Sequence, residues 1–473
     1  NKYAWESKIE REIKWTSAAA GLDMFEQRPI ENLSASVKTN DSQIIRLIRQ
    51  FDIQSSIPRM ATKMGSSYEA LSDSDIVYFN DSEYWVAPKT LRSSEIGTDA
   101  INLHTELYDH VEGLLAIDTS TGDLVKIEDV FNVSDDYPIF FGEHESEYYI
   151  QEIQGLEEDE EVQYSSTSYD SDILLGTEWA QGIEKNKFTY TGKPDGTLKG
   201  LEALYYTLDL GLWGYAWDGE DEKQFLINRN IRNRVESILL PFLKMGTDPY
   251  LVFDTERNRM YYAASIYTSI PIQGYAQTPI YRFLGVCLVD VKTGDLNFYQ
   301  NPKLSTQNDP FGSILQVYMD KYPWKESPDW LFEQLRYPES LFELQLDAFY
   351  KYHVNSPSTW KRGDDFHERP EGGDLFYIEM DVGDGIEYVG IDLVEYEGRE
   401  ANILAGMYVV RHGEHFGEAI FYHTRTSEDK LIGPKVARDN YQGEATKEIS
   451  LIEGARNGNT LLYPIAGTLC YYV

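Results

Sequence analysis

The chain has 473 residues, and 42 Lys and Arg against 79 Asp and Glu leave a formal charge of −37. Nucleic acid rewards clustered bases through counterion release, so this charge excludes it as a partner and disfavours anionic membrane surfaces. With 42% hydrophobic and 26% charged residues the composition is that of a folded globular protein, and 35 Tyr, 20 Phe and 9 Trp suit strand-rich packing and broad contact surfaces.

Trp5, Ile9, Ile13 and the run 15–19 return apolar side chains at helical period before Gly21, which predicts a helix over about 1–20. Short apolar runs at 76–79, 114–117 and 148–150, separated by Asp, Ser and Gly, read as strands. The acids at 157–161 and the serines at 165–168 form an exposed linker that ends a β-rich region spanning 1–172. Ile227, Ile231, Val235, Ile238 and Phe242 recur at intervals of three and four and predict a helix over 225–245, shortened by Pro241 and stopped by Gly246. Pro338 and Glu339 open a helix over 338–351 with Leu341, Phe342, Leu346 and Phe349 on its apolar stripe. Strands at 251–253, 261–265 and 286–289 complete a central region at 173–371. Those at 376–380, 388–391, 407–410 and 419–422 make 372–473 a C-terminal β region. The fold class is α+β, with β-rich mixed sheets and a few packed helices.

One pattern occurs twice: Asp118-x-x-Thr121-Gly122-Asp123-Leu124 and Asp290-x-x-Thr293-Gly294-Asp295-Leu296. Between apolar strands it reads as a hairpin turn, with Gly at positive φ and Asp capping amides. The alternative is a calcium loop at Asp118, Asp123, Asp290 and Asp295, which needs further acids to complete a shell of oxygens. Cys287 and Cys470 sit in apolar runs as free thiols in strands, with a single bridge between them left open. His412 and His415 have donors for zinc nearby, but their flanking glycines make a turn and the His-Glu-x-x-His spacing is absent, so zinc is not expected. Arg229, Arg232 and Arg234 are expected to pair with the protein's own acids. The run 212–218 gathers Trp213 and Trp217 beside Asp218, a packed segment or a sugar-stacking one. Nucleophile elbows, Walker loops and dinucleotide fingerprints are absent from the sequence. Sequons at Asn32, Asn40, Asn80 and Asn132 offer a glycosylated face in the first third. The sequence holds no run of about 18 apolar residues, and its start at Asn1 reads as a processed or cut piece of something longer.

The segment Leu335-Arg336-Tyr337-Pro338-Glu339-Ser340-Leu341-Phe342, followed by Tyr352-His353-Val354 and Asp364-Asp365-Phe366, resembles the membrane-protein family UPF 0182. The stretch 9–23, Phe141-Gly142-Glu143, Arg229 to Val235, Thr247-Asp248-Pro249-Tyr250, Ile432-Gly433-Pro434, Glu448 to Leu451 and Gly458 to Ile465 are similar to that family in matching order. The acidic stretch at 157–172 and the His412/His415 loop depart from it. The resemblance implies the extracellular domain of a polytopic prokaryotic membrane protein, joined to the membrane only through N-terminal helices of its precursor. It carries no catalytic residues. With no catalytic signature and many Tyr and Trp, the expected function is a non-enzymatic cell-surface domain that self-associates or contacts envelope proteins, through apolar rings and Arg or through divalent cations such as calcium. The alternative is an envelope polysaccharide-binding or glycoside-cleaving module using acids near Trp213 and Trp217. A third reading is a cap on a transport path through the membrane helices.

Overall fold

Three long strands, Ser82–Leu91, Arg259–Ile270 and Ile386–Tyr396, each centre an antiparallel sheet, and the three sheets share one plan. In each, a first strand runs into the long strand through a hairpin: Asp75–Phe79, Tyr250–Asp254 and Phe376–Asp381. The other end of the long strand pairs with a short strand from upstream: Glu69–Leu71, Leu243–Met245 and His367–Glu368. A third and a fourth strand then follow, Leu114–Asp118 with Leu124–Val125, Ile280–Asp290 with Leu296–Gln300, and Leu404–Arg411 with Ala419–His423. Phe25–Pro29 adds a parallel strand beside Ala419–His423, so the N-terminal part of the chain closes the C-terminal sheet. The computed structural model describes residues 2–36, 41–64, 69–71, 73–91, 113–134, 137, 139–143, 174–175, 178–181, 186–189, 192–198, 205, 223–272, 278–383, 385–398, 402–427, 430–451, 458–465 and 467–473. The acidic stretch 157–172, the strand expected at 148–150, the aromatic run 212–218 and Asn40 lie outside them.

The turn between third and fourth strands is built alike three times. Asp118 N donates to Asp123 O at 3.0 Å, Asp290 N to Asp295 O at 3.0 Å, and Arg411 N to Glu418 O at 2.8 Å. Gly122, Gly294 and Gly417 hold φ of 68°, 71° and 79° in these turns. A ring lies against each glycine, from Phe51, Phe141 and Tyr337, and a Cβ on Gly122 or Gly294 would occupy the space of its ring. The repeated Asp-x-x-Thr-Gly-Asp-Leu motif is therefore two copies of this turn. Asp118 Oδ1 accepts from Ser120 N and Thr121 N at 2.8 and 2.9 Å, and Asp290 Oδ1 from Lys292 N and Thr293 N at 2.9 and 3.0 Å.

The α+β class holds, and the central strands explain it. Met260, Tyr262, Ala264 and Ile266 point into one core, while Tyr261, Ala263 and Tyr267 point into another, the period-two pattern of a strand buried on both faces. The second of those cores also takes the apolar face of the helix Glu339–Tyr352, where Leu341, Phe342, Leu346 and Phe349 are buried. Gln345 Nε2 ties this helix to Ala20 O at 2.9 Å, the last residue of the helix Lys2–Ala20. Both match the sequence expectation.

The helix expected over 225–245 is shorter. It spans Ile231–Glu236, between strands Lys223–Leu226 and Leu243–Met245. Asn230 caps it, with its side chain accepting from Asn233 N at 3.2 Å, and Phe242 adopts φ of 70°, outside the helical range. The apolar spacing through Phe242 persists in the sequence, but Ile238 and Phe242 lie exposed beyond the helix end. Cys287 is buried and Cys470 half-buried, and both are free.

Candidate metal centre

The upstream ends of the first two sheets meet at a group of acids. Asp73 lies two residues before Asp75, where the first strand of the first sheet begins, and Asp248 lies two before Tyr250, where that of the second begins. Glu143 follows Gly142, whose amide and carbonyl bond Arg229 O at 3.1 Å and Ile231 N at 2.9 Å. One carboxylate oxygen from each of Asp73, Glu143 and Asp248 lies within 4.8 Å of the others. Asp75 is 4% exposed beside them. The counter-charge is Arg336, whose Nη2 stands 3.2 Å from Asp248 Oδ2 and whose guanidinium lies 4.0 Å from the ring centroid of Tyr250. Burial lowers the affinity of Arg336 for its proton, but Asp248, Tyr388, Asp75 and Tyr250 outweigh it and hold the group charged.

Among the described residues, these four carboxylates thus share the Arg336 guanidinium. Burial, then Asp75, Asp248 and Asp73, pushes the carboxyl of Glu143 well above the usual range. Burial, then Asp248, does the same to Asp75. Asp73 is raised by burial as well, although Ser74 N donates to it at 2.7 Å. Like charges this close cannot all ionise in a half-dry site, so the cluster holds either protons or a cation. Glu143 Oε2 is shut from solvent and has no hydrogen-bond partner among the described residues. Oxygen donors alone suit a hard ion. Calcium, bonding at about 2.3–2.6 Å, reaches between oxygens about 5 Å apart, whereas magnesium at about 2.0–2.1 Å needs them drawn closer. The side chain of Asp248 is 41% exposed and gives the site an opening to water.

A second acidic set, Glu339, Glu343 and Asp374, has oxygens within the same mutual distance. Asp374 stands two residues before Phe376, the third sheet's counterpart of Asp73 and Asp248. Glu339 links the two sets. Burial, then Asp248, with Glu343 and Asp374 adding, raises its carboxyl to about 7.

The other candidate residues are placed elsewhere. Asp118 and Asp123 sit in one hairpin turn and Asp290 and Asp295 in another, with Asp118 and Asp290 engaged by backbone amides and Asp290 3.2 Å from Arg259. His412 Nε2 accepts from Tyr337 N and Nδ1 bonds Tyr388 O, both at 2.9 Å, and burial lowers its pKa to about 3. With both nitrogens engaged it has no lone pair for zinc, and His415 stands 3.2 Å from Glu418. Arg232 and Arg234 pair with Glu236 at 3.5 Å and Asp195 at 3.2 Å, as expected of them, while Arg229 is buried and donates to Phe140 O at 2.8 Å. Asn32, Asn80 and Asn132 are exposed, although Asn132 Nδ2 already donates to Thr255 O at 2.8 Å. The sequence reading missed Asp73, Glu143 and Asp248. The available signal was the resemblance itself, since the segments at 141–143, 247–250 and 335–339 that carry it meet at this cluster.

No helix of the described residues is long and apolar enough to cross a membrane. The model of the uncharacterised protein family UPF0182 matches residues 1–451. The chain is 27% identical to a UPF0182 protein of Salinibacter ruber over 61% of its length and 33% of the relative's. It is 25% identical to one of Clostridium tetani over 75% of its length and 40% of the relative's, and 26% identical to one of Alkaliphilus metalliredigens over 60% and 32%. It therefore spans about a third to two fifths of the curated relatives it matches. No solved structure matches it. With a family model covering nearly the whole chain, this protein belongs to the UPF0182 family.

Proposed function

We propose that the chain is the extracytoplasmic part of a membrane-anchored parent, that it works by contact rather than by conversion, and that a divalent cation, calcium, seated among Asp73, Glu143 and Asp248 joins its first and second sheets. The observation that carries the cation is the excess of carboxylates over guanidinium around Arg336. A site open through Asp248 and only partly neutralised suits the weak class of calcium sites, with Kd of about 10⁻⁴–10⁻³ M, that fill in the medium outside cells. The extracytoplasmic reading is supported by the family resemblance and by the charge of −37, and the chain's partial coverage of its relatives is consistent with a longer parent. Its test is to tag the full-length parent at this region and label intact cells with an impermeant reagent. Protection until lysis would refute the outward placement.

Self-association is supported by one surface. Ile238, Phe242, Ile314 and Val317 are 39–55% exposed, and Tyr318 and Tyr322 stitch their two segments together by donating to Pro241 O at 3.0 Å and Ile238 O at 2.9 Å. An apolar patch on so acidic a molecule is a contact surface in waiting. Sedimentation at moderate salt, where repulsion between like-charged copies is screened, tests it.

A further inference from the structure

The three equivalent hairpins between first and long strands bring their tips together around a cleft of about 610 Å³, in the size range of small-ligand sites. The first sheet contributes Tyr78 to Asp81, the second Phe253 and Thr255, and the third Gly385 to Tyr388. Two additions complete the wall: the short helix Asp329–Phe332 with Trp330, and the turn His412 to His415. This end of the first strands is opposite the one that carries Asp73 and Asp248.

We propose that this cleft binds a neutral oligosaccharide. Tyr78 lies flat on Tyr388, centroids 4.8 Å apart and planes within 5°, and Trp330 stacks on Tyr261 at 6.0 Å. Of these rings Tyr78 and Trp330 are half-buried at the cleft, and with Phe79 they offer apolar surface to the C–H side of a sugar. Asp81, Glu333 and Glu414 are exposed at the cleft and accept from sugar hydroxyls. Glu387 is held by Arg411, and no Lys or Arg lines the cleft among the described residues, so a uronate or a phosphorylated sugar would meet only repulsion. The site is distinct from the aromatic run 212–218 and does not depend on the carboxylate cluster.

The experiment presents the purified chain, once in calcium and once in chelator, to an array of neutral, amine-bearing and uronate-bearing oligosaccharides, with calorimetry on what is retained and tetramethylammonium chloride as competitor. Retention of neutral glycans in both buffers, with uronates rejected, is the expected result. Trp330→Ala then weakens the best neutral glycan at least tenfold. Because Trp330 also packs on Tyr261, Glu414→Gln serves as the second variant, with a severalfold loss at unchanged melting temperature. Preference for uronates, retention only of amine-bearing sugars, competition by tetramethylammonium, no neutral glycan retained, or both variants binding like the parent would overturn the proposal. A failure of calcium binding leaves it untouched, since the chelator arm is read separately.

Discussion

Glu143→Gln separates the two states of the carboxylate cluster, because its effect should change sign with calcium. In chelator the native carboxyl is shut from solvent, lacks a partner for Oε2 among the described residues and is surrounded by Asp75, Asp248 and Asp73. Replacing it by a neutral amide removes one of four crowded acids, so the variant should melt at or above the parent. In calcium the parent gains RT ln(1 + [L]/Kd), about 2.7 kcal/mol at a hundredfold excess over Kd. An unfolding entropy of about 2.1 cal/mol/K per residue amounts to about 1 kcal/mol/K for 473 residues melting together, so the shift is about 3 °C. Loss of one charged ligand that weakens the site about ten- to a hundredfold leaves roughly 0.4–1.4 kcal/mol at the same calcium, a shift of about 1 °C. Scanning calorimetry of parent and variant in both buffers reads all four values. A variant that melts several degrees lower in chelator and keeps the whole calcium shift would refute the reasoning.

Further outcomes follow from the same structure. Burial raises Glu339 to about 7 and Glu379 to about 9, the latter with Glu83 and Asp81 adding to the effect. Acids raised on folding contribute stability that is complete below their unfolded values near 4.5 and is lost as pH climbs through about 7 and then about 9. In chelator the midpoint of urea unfolding should therefore fall between pH 5 and pH 9, and a rise would contradict these environments. Gly294→Ala places a methyl where the ring of Phe141 lies, at φ of 71°, and should cost about 1–3 kcal/mol by urea titration. An unchanged midpoint would remove that turn from the account of the fold. Phe242→Ser should abolish association at moderate salt while leaving the melting temperature within about a degree, because the ring is 50% exposed. A parent that stays monomeric at every salt would dismiss the patch.

The parts legible in the sequence were those written locally. The helices at Lys2–Ala20 and Glu339–Tyr352 follow from apolar period and terminators, and the turns at Asp118 and Asp290 from Gly and Asp at fixed offsets. The threefold plan was half visible. Its third copy has Arg411 where the others have Asp, and two more residues in the turn, so the repeated motif stopped at two. The segment 225–245 misled because the apolar spacing continues through Ile238 and Phe242, beyond the helix end at Glu236. The carboxylate cluster was hidden for a different reason. With 79 acids in the chain no single one stands out, and Asp73, Glu143 and Asp248 come from three distant segments. What distinguishes Asp73, Asp248 and Asp374 is a shared position two residues before a first strand, which only the alignment of the three sheets reveals.

Equilibrium binding of calcium to chelator-stripped protein, measured calorimetrically in two buffers of different ionisation enthalpy, tests the carboxylate centre most directly. One ion bound per chain, accompanied by proton release from Asp75 and Glu143 and lost in Glu143→Gln, is the predicted result. No binding at millimolar calcium, or undiminished binding by the variant, would contradict it.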